Sequence, residues 1–452
     1  MPSLRFSHLA TVGDFRAVRV AACLAMLSVG ENSTAIMAAL PAMTDSLQLS
    51  PVQVEWVVNA YLLTAAVFII LGGDAADRFG ARRSSTAGIG LFAFASLIIA
   101  VAPHGWSVIG ARALQGLGAA FAVAGTLAAV TEAAPETQRP QAIGAWSAFL
   151  MLGFSTGPLV GGAITHYLGW RLIFWLNVST MSAAGLILLL HHGTKIHSIK
   201  STDWAGLGFL ACFMVPLIIG LQALAHARTT EEVTISAFAL AILAFSGLLW
   251  SEMRRVQPLV DFSLFSNRNF TIASGLAFLL MFDIMTLLFY YNLYAQSPNG
   301  LGLSPVAAGG SLMPLAIALF SFSRAAPWLG NYLGTRTMLT SGSLVVALGC
   351  AITWASIHEQ GRFTVLILGL AIAGVGIALP YASAPRVGLA TLLPTQAGKG
   401  SGMINSCSFL GGTIGVTLGG LLFRSVGFSG VLALLGFTAL LAAALCLRLR
   451  AT

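Results

Sequence analysis

Charge is what this chain has least of. Asp, Glu, Lys and Arg make up 8% of its 452 residues, against 57% hydrophobic residues. Soluble domains carry about 25% charged residues, so a water-soluble multidomain protein is excluded. Cysteine is also scarce. Cys23, Cys212, Cys350, Cys407 and Cys446 are odd in number, sit in apolar runs and show no ligand spacing. A disulfide framework or cysteine metal centre does not fit that pattern, and they read as small buried hydrophobes. The three histidines of HHGTKIHSIK (191–200) fall in a basic stretch that reads as a solvated loop rather than a metal site. No Walker loop, zinc spacing or nucleophile elbow occurs. The sequence therefore predicts no enzyme, no cofactor, no metal and no ATP drive. A cleaved signal peptide is not expected either, because the first apolar run is long and continues into the polar ENST.

Apolar runs are what the chain has instead. Mean hydropathy is +0.86, and stretches of about 20 apolar residues, the length that spans hydrocarbon, recur from end to end. Backbone polar groups in lipid must be satisfied within the segment, so these runs predict helices. Fourteen spans are expected, at roughly 18–40, 53–73, 85–103, 107–131, 141–166, 170–190, 205–225, 233–251, 270–294, 305–327, 337–356, 363–384, 400–423 and 428–447. The 49 glycines suit close helix packing in a membrane. The expected class is an all-α polytopic membrane protein.

Placing the N-terminus in the cytoplasm puts 18 of the 23 Lys and Arg residues on that side. Only Arg171, Arg228, Arg362 and Arg424 fall outside, and Arg112 lies within a span. This bias follows the positive-inside rule and places both termini in the cytoplasm. Orientation thus accounts for the net charge of +8, and no nucleic-acid partner is implied.

One stretch concentrates charge: GGDAADRFGARR, residues 72–83. It has an echo, since ADRFGARR (76–83) aligns with GNYLGTRT (330–337) at an offset of 254 residues. GFSTGPLVGG (153–162) and GGTIGVTLGG (411–420) share the spacing G-x3-G-x3-GG at an offset of 258. Two pairs at nearly one offset argue for duplication. The expected plan is a six-helix bundle (1–192), a linker with two extra central helices (193–257) and a second six-helix bundle (258–452). Repeated halves around a central site are the usual plan of secondary transporters.

These strings resemble those of the major facilitator superfamily over nearly the full chain, and within it the fourteen-helix drug:proton antiporter branch. GGDAADRFGARR is similar to the family's loop signature at Gly73, Asp77, Arg78, Gly80 and Arg82, with Ala75 at its Leu position. RALQGLGAA (112–120) resembles the fourth-helix signature at Arg112, Gln115, Gly116 and Gly118. GFSTGPLVGG resembles the antiporter signature of the fifth helix at Gly153, Gly157, Pro158, Gly161 and Gly162. GWRLIFWLNV (169–178) and PLVDFSLFSNRNF (258–270) look like further landmarks of that branch. The resemblance implies the major facilitator fold, no cofactor and a monomer. It also implies a plasma (inner) membrane location and alternating access that exchanges protons for amphipathic or cationic small molecules. Proton-coupled uptake and export of one endogenous metabolite are the nearest alternatives, with a channel or a non-transporting receptor behind them.

Charge inside a span marks function by default, and Glu31, Arg112 and Asp283 are such charges. All three are expected between the midplane and the outer leaflet. Glu31 or Asp283 is the expected proton carrier, with Arg112 modulating it. Branch members often carry LDxT in the first helix. Here GENST puts Asn32 at the Asp position, and Glu31 is displaced by one residue, about 100° around the helix. In the charged loop, Asp77 can accept from helix N-terminal N–H groups or pair with an Arg of a neighbouring helix. Either contact would latch the two bundles when the inner side is closed. Asn32, Gln115, Trp146, Phe149, Asn177, Phe282 and Tyr290 are cavity candidates.

Overall fold

The computed structural model describes residues 3–190, 203–225, 231–255, 258–358, 363–393 and 396–449. The histidine-bearing stretch 191–200 lies outside the described residues. Among those described, fourteen helices are long and apolar enough to cross a membrane. In chain order the helices are α1 (Ser3–Leu47), α2 (Pro51–Phe79), α3 (Ala81–Ala100), α4 (Gly105–Ala133), α5 (Arg139–Leu168), α6 (Arg171–Leu190), α7 (Trp204–Ala225), α8 (Glu231–Met253) and α9 (Arg268–Gln296). They continue with α10 (Pro305–Ser311), α11 (Met313–Leu333), α12 (Thr335–His358), α13 (Phe363–Leu389), α14 (Ala397–Val426) and α15 (Phe428–Cys446). The expected run 305–327 is broken at Leu312, between α10 and α11. Pro314 follows immediately, and its ring and missing N–H interrupt the ladder of helical hydrogen bonds.

Duplication is visible in the backbone. Ser50 caps α2 by accepting from the Gln53 N–H at 3.3 Å, with Pro51 at the first helical position. Ser304 caps α10 in the same way from the Ala307 N–H at 3.3 Å, followed by Pro305. The tight turns α2–α3 and α11–α12 use Gly80 and Gly334 at φ +89° and +80°. The turns α5–α6 and α14–α15 use Gly169 and Gly427 at φ +86° and +78°. Only glycine enters that region at no steric cost, so these pairs hold the repeat at the offsets the sequence strings show.

Each set of six spans packs mainly within itself. α1 lies against α5, α6 and α4, and α2 and α3 both pack on α4. In the second set α9 packs on α13, α14 and α15, and α12 packs on α13 and α15. Small residues make these contacts possible. A methyl group added at Gly153 would lie 2.6 Å from the Glu31 backbone nitrogen, and one at Gly161 would lie 2.5 Å from the Ala35 carbonyl oxygen. The sets meet along α2–α14 and α5–α10–α11, with α1 touching α9. The extra pair α7–α8 is peripheral: α7 covers the α2–α14 seam, and α8 is the least buried span. Asp203 ties the start of α7 to Arg255, just past α8, at 2.6 Å.

Candidate functional site: a cavity closed at one end

A cavity of about 570 Å³ lies between the two sets of helices, a size typical of small-molecule sites. Its floor is made by Val29 and Ser33 of α1, Phe154 of α5, Met281 of α9 and Phe409 of α14. Its walls descend along α4, α5, α11, α13 and α14 to Ile143, Arg324, Arg386 and Ser401. These last residues sit near the helix ends on the face that carries the α2–α3 turn, and Arg324 and Arg386 are exposed. The cavity therefore opens on that arginine-rich face. A small apolar extension behind the floor is lined by Met151, Met281 and Met285, side chains that adapt to irregular shapes.

At the opposite end the two sets are clamped together. Glu55, one turn into α2, is bonded to Arg424, near the end of α14. Glu55 is 3% exposed. Asn59 donates to the Thr417 hydroxyl at 2.9 Å, and Gln296 donates to the Ala38 carbonyl at 3.0 Å. Gly162 of α5 lies against the Pro305 backbone, and Gly309 of α10 lies against the Pro158 backbone, where no Cβ would fit. Pro158 sits inside α5 at this crossing. Every one of these contacts joins a helix of the first set to one of the second.

Beside the cavity, inside the first set, runs a buried polar chain. Arg112 is fully buried, donates from Nε to the Val57 carbonyl at 2.8 Å and from a terminal nitrogen to the Gln115 amide oxygen at 2.6 Å. Its guanidinium lies 4.3 Å from the centroid of the Tyr61 ring. Gln115 donates to the Ser96 hydroxyl at 2.7 Å and accepts from Asn32 at 3.3 Å, and Asn177 donates to Asn32 at 2.9 Å. The amide at position 32 suits this chain because it donates to Gln115 and accepts from Asn177 at once, which a carboxylate cannot do. Arg112 has no carboxylate partner among the described residues. Asn32→Leu is expected to orphan the buried Asn177 amide, at about 1–3 kcal/mol, while Gln115 keeps Arg112 and Ser96; the readout is a fall of a few degrees in the thermal midpoint of the detergent-solubilised protein.

The remaining expected residues fall in distinct places. Glu31 is half-buried and lies two residues, or 200° of helix, from both Val29 and Ser33, on the side of α1 away from the cavity. Asp283 is buried in the second set, where the Thr438 hydroxyl donates to it at 2.6 Å. Trp146 lines the cavity and donates its indole N–H to Thr126 at 3.0 Å. Phe149 is 37% exposed and outside the lining. Phe282 is buried between α9 and α14, and Tyr290 donates to the Val416 carbonyl at 2.6 Å next to the Glu55–Arg424 clamp. Gly73, Asp77, Arg78, Gly80 and Arg82 form the end of α2 and its turn, at the open face. There Arg82 bonds the Leu189 carbonyl and Arg78 stacks on Phe79. Gly157 joins Gly153 and Gly161 on the α1 contact. The clamp residues Glu55 and Arg424 were not among the expected site residues. Their only sequence signal is a carboxylate two residues inside an apolar run.

A family model described as the Major Facilitator Superfamily matches residues 22–329. The tetracenomycin C resistance and export protein of Streptomyces glaucescens is 28% identical over 411 residues, covering 90% of this chain and 75% of that protein. The multidrug resistance protein Stp of Mycobacterium tuberculosis is 28% identical over 404 residues, covering 88% and 73%. Among solved structures, a D-xylose-proton symporter superposes with a TM-score of 0.68 at 15% identity, covering 96% of this chain and 97% of that one. That likeness establishes the fold.

Proposed function

The chain belongs to the Major Facilitator Superfamily and is a membrane transporter, not an enzyme, and from that premise we propose that it exports amphipathic drug-like molecules in exchange for protons. The observation that carries this reading is the cavity's asymmetry. It is open at the arginine-rich face and clamped shut at the other by contacts that all cross between the two halves. A site that one clamp separates from the far side is what alternating access needs. The arginine bias makes the open face cytoplasmic, with both termini there, in the plasma membrane. The resistance and export functions named for the relatives support the outward direction.

The moving bodies are the halves 1–192 and 258–452, with 193–257 as a connecting pair of helices, and a single chain holds the whole site. The α2–α3 turn around Asp77 acts as the latch of the inner face in the opposite state. Glu31 and Asp283, with Arg112 modulating, remain proton-coupling groups to be tested. Glu55 joins them, because its ionisation bears directly on the clamp.

The test is transport by purified protein in proteoliposomes with an imposed pH gradient and a dye reporting internal pH. Drug-dependent proton flow opposite to the drug supports antiport, and Glu31→Gln with Asp283→Asn shows whether those acids carry it. Co-directional flow would make the protein an uptake symporter, and drug flux without proton flow would make it a uniporter.

A further inference from the structure

We propose that the central cavity selects amphiphiles bearing a negative charge, a carboxylate or phenolate, over cations of the same size. The inference rests on the export reading and concerns the substrate class of that same cavity. Among the described residues the lining contains no Asp or Glu. The fixed charges among these described lining residues are Arg324 of α11 and Arg386 of α13, both at the mouth. Neither has a carboxylate partner among the described residues. Arg324 is held there by the face of Phe320, 4.3 Å from its guanidinium carbon, and Phe320 also lines the cavity.

None of the acids of the described spans is among the lining residues, and the three deepest are engaged elsewhere or turned away. Glu31 faces the far side of α1, Asp283 takes the Thr438 hydroxyl inside the second half, and Glu55 is bonded to Arg424 at the closed end. Above the arginines the cavity is aromatic and aliphatic, with Trp146, Phe154, Tyr381 and Phe409 interrupted by hydroxyls and the Asn405 amide. An apolar body fills this space while its charge stays at the wet mouth between two guanidiniums. A cation in the same pose meets like charge, and deeper in it is taken from water without a counterion. The positive-inside rule accounts for arginines at helix ends. It does not account for a lining without a carboxylate above them.

The test uses three probes on one skeleton: pyrenebutyrate, pyrenebutanol and pyrenebutylammonium. Their export by proteoliposomes is measured under a pH gradient, with the membrane potential clamped at zero so that charge movement does not bias the comparison. Pyrenebutyrate is expected to show a kcat/KM about tenfold above the ammonium, the effect of one charge contact of about 1.4 kcal/mol. Arg324→Gln with Arg386→Gln is expected to bring the carboxylate-to-ammonium ratio of kcat/KM to about one, and the two Lys replacements are expected to keep the preference. Raised salt should narrow it, because the mouth is solvated. Export of the ammonium equal to or better than the carboxylate overturns the proposal and leaves the export reading intact. A carboxylate preference that survives the double Gln variant overturns the role of the arginines. Gradient-driven movement of none of the probes, nor of the drugs in the earlier assay, overturns both readings.

Discussion

Arg424→Gln is expected to open the closed end of the molecule. In the clamp Glu55 is 3% exposed, and one of its oxygens has no hydrogen-bond partner even with Arg424 in place. Removing the guanidinium leaves that carboxylate buried and uncompensated. Breaking such a pair from one side costs about 3–5 kcal/mol, and each 1.4 kcal/mol is about tenfold in an equilibrium. The clamped state should therefore lose at least about a hundredfold in population. A cysteine at Ser33, on the cavity floor, should then react much faster with an impermeant thiol reagent added from the closed side. Transport should fall by about tenfold or more. The double variant Glu55→Gln with Arg424→Gln should recover part of the closure, since neutral amides can bond each other without a stranded charge. Proton dependence follows with a definite sign. The pair requires ionised Glu55, so the clamp is strongest at high pH and weakens as pH falls through the titration of that carboxylate. Tyr290 and Arg424 are the titratable groups beside it. Accessibility from the closed side should rise with acid in the wild type and stay flat in Glu55→Gln. An unchanged labelling rate in Arg424→Gln would mean that the pair does not hold the gate.

The second large effect separates two adjacent glycines. Gly161→Leu is expected to prevent folding. A Cβ there would lie 2.5 Å from the Ala35 carbonyl oxygen and 2.7 Å from the Ala35 Cα, inside the α1–α5 contact of one half. Overpacking costs typically about 1–3 kcal/mol and more where, as here, the overlap is with backbone inside one bundle. Gly162→Leu should behave differently. Its Cβ would overlap the Pro305 carbonyl oxygen at least as closely, but across the junction of the halves. The halves can separate there, so folded yield should stay near wild type while the clamped state is lost and transport falls by about tenfold or more. Size-exclusion profiles, thermal midpoints and transport assays on the two variants distinguish these outcomes. Equal loss of folded protein in both would mean that the α5–α10 contact is structural and not a gate.

Much of this architecture is legible in residue order because the membrane imposes it. Apolar length fixes the spans. The glycine turns at 80, 169, 334 and 427 repeat at the offsets that the strings show. The break at Leu312 was hidden, since a proline is tolerated in many membrane helices and periodicity does not register it. The candidate site was less legible. Asn32, Arg112, Gln115 and Asn177 share one buried chain, but its other members, Ser96 and Tyr61, carry no signature as single residues. Glu31 draws attention as a charge within a span, and only its angle relative to Val29 and Ser33 shows which way it faces. Glu55 and Arg424 stand 369 residues apart. Pairing them requires the two halves to be assembled, and no local spacing announces a partner that far along the chain.

The most direct measurement is of distances at both faces of one molecule. Spin-label pairs at Gln48 and Val426 would report the clamped end, and pairs at Arg83 and Thr337 would report the arginine-rich end. All four positions lie next to helix ends, on opposite halves within each pair. Alternating access predicts two distance populations at each face, shifting in opposite directions as pH is lowered or a transported drug is added. Distances that stay fixed at both faces, or that widen together as in an open channel, would contradict it.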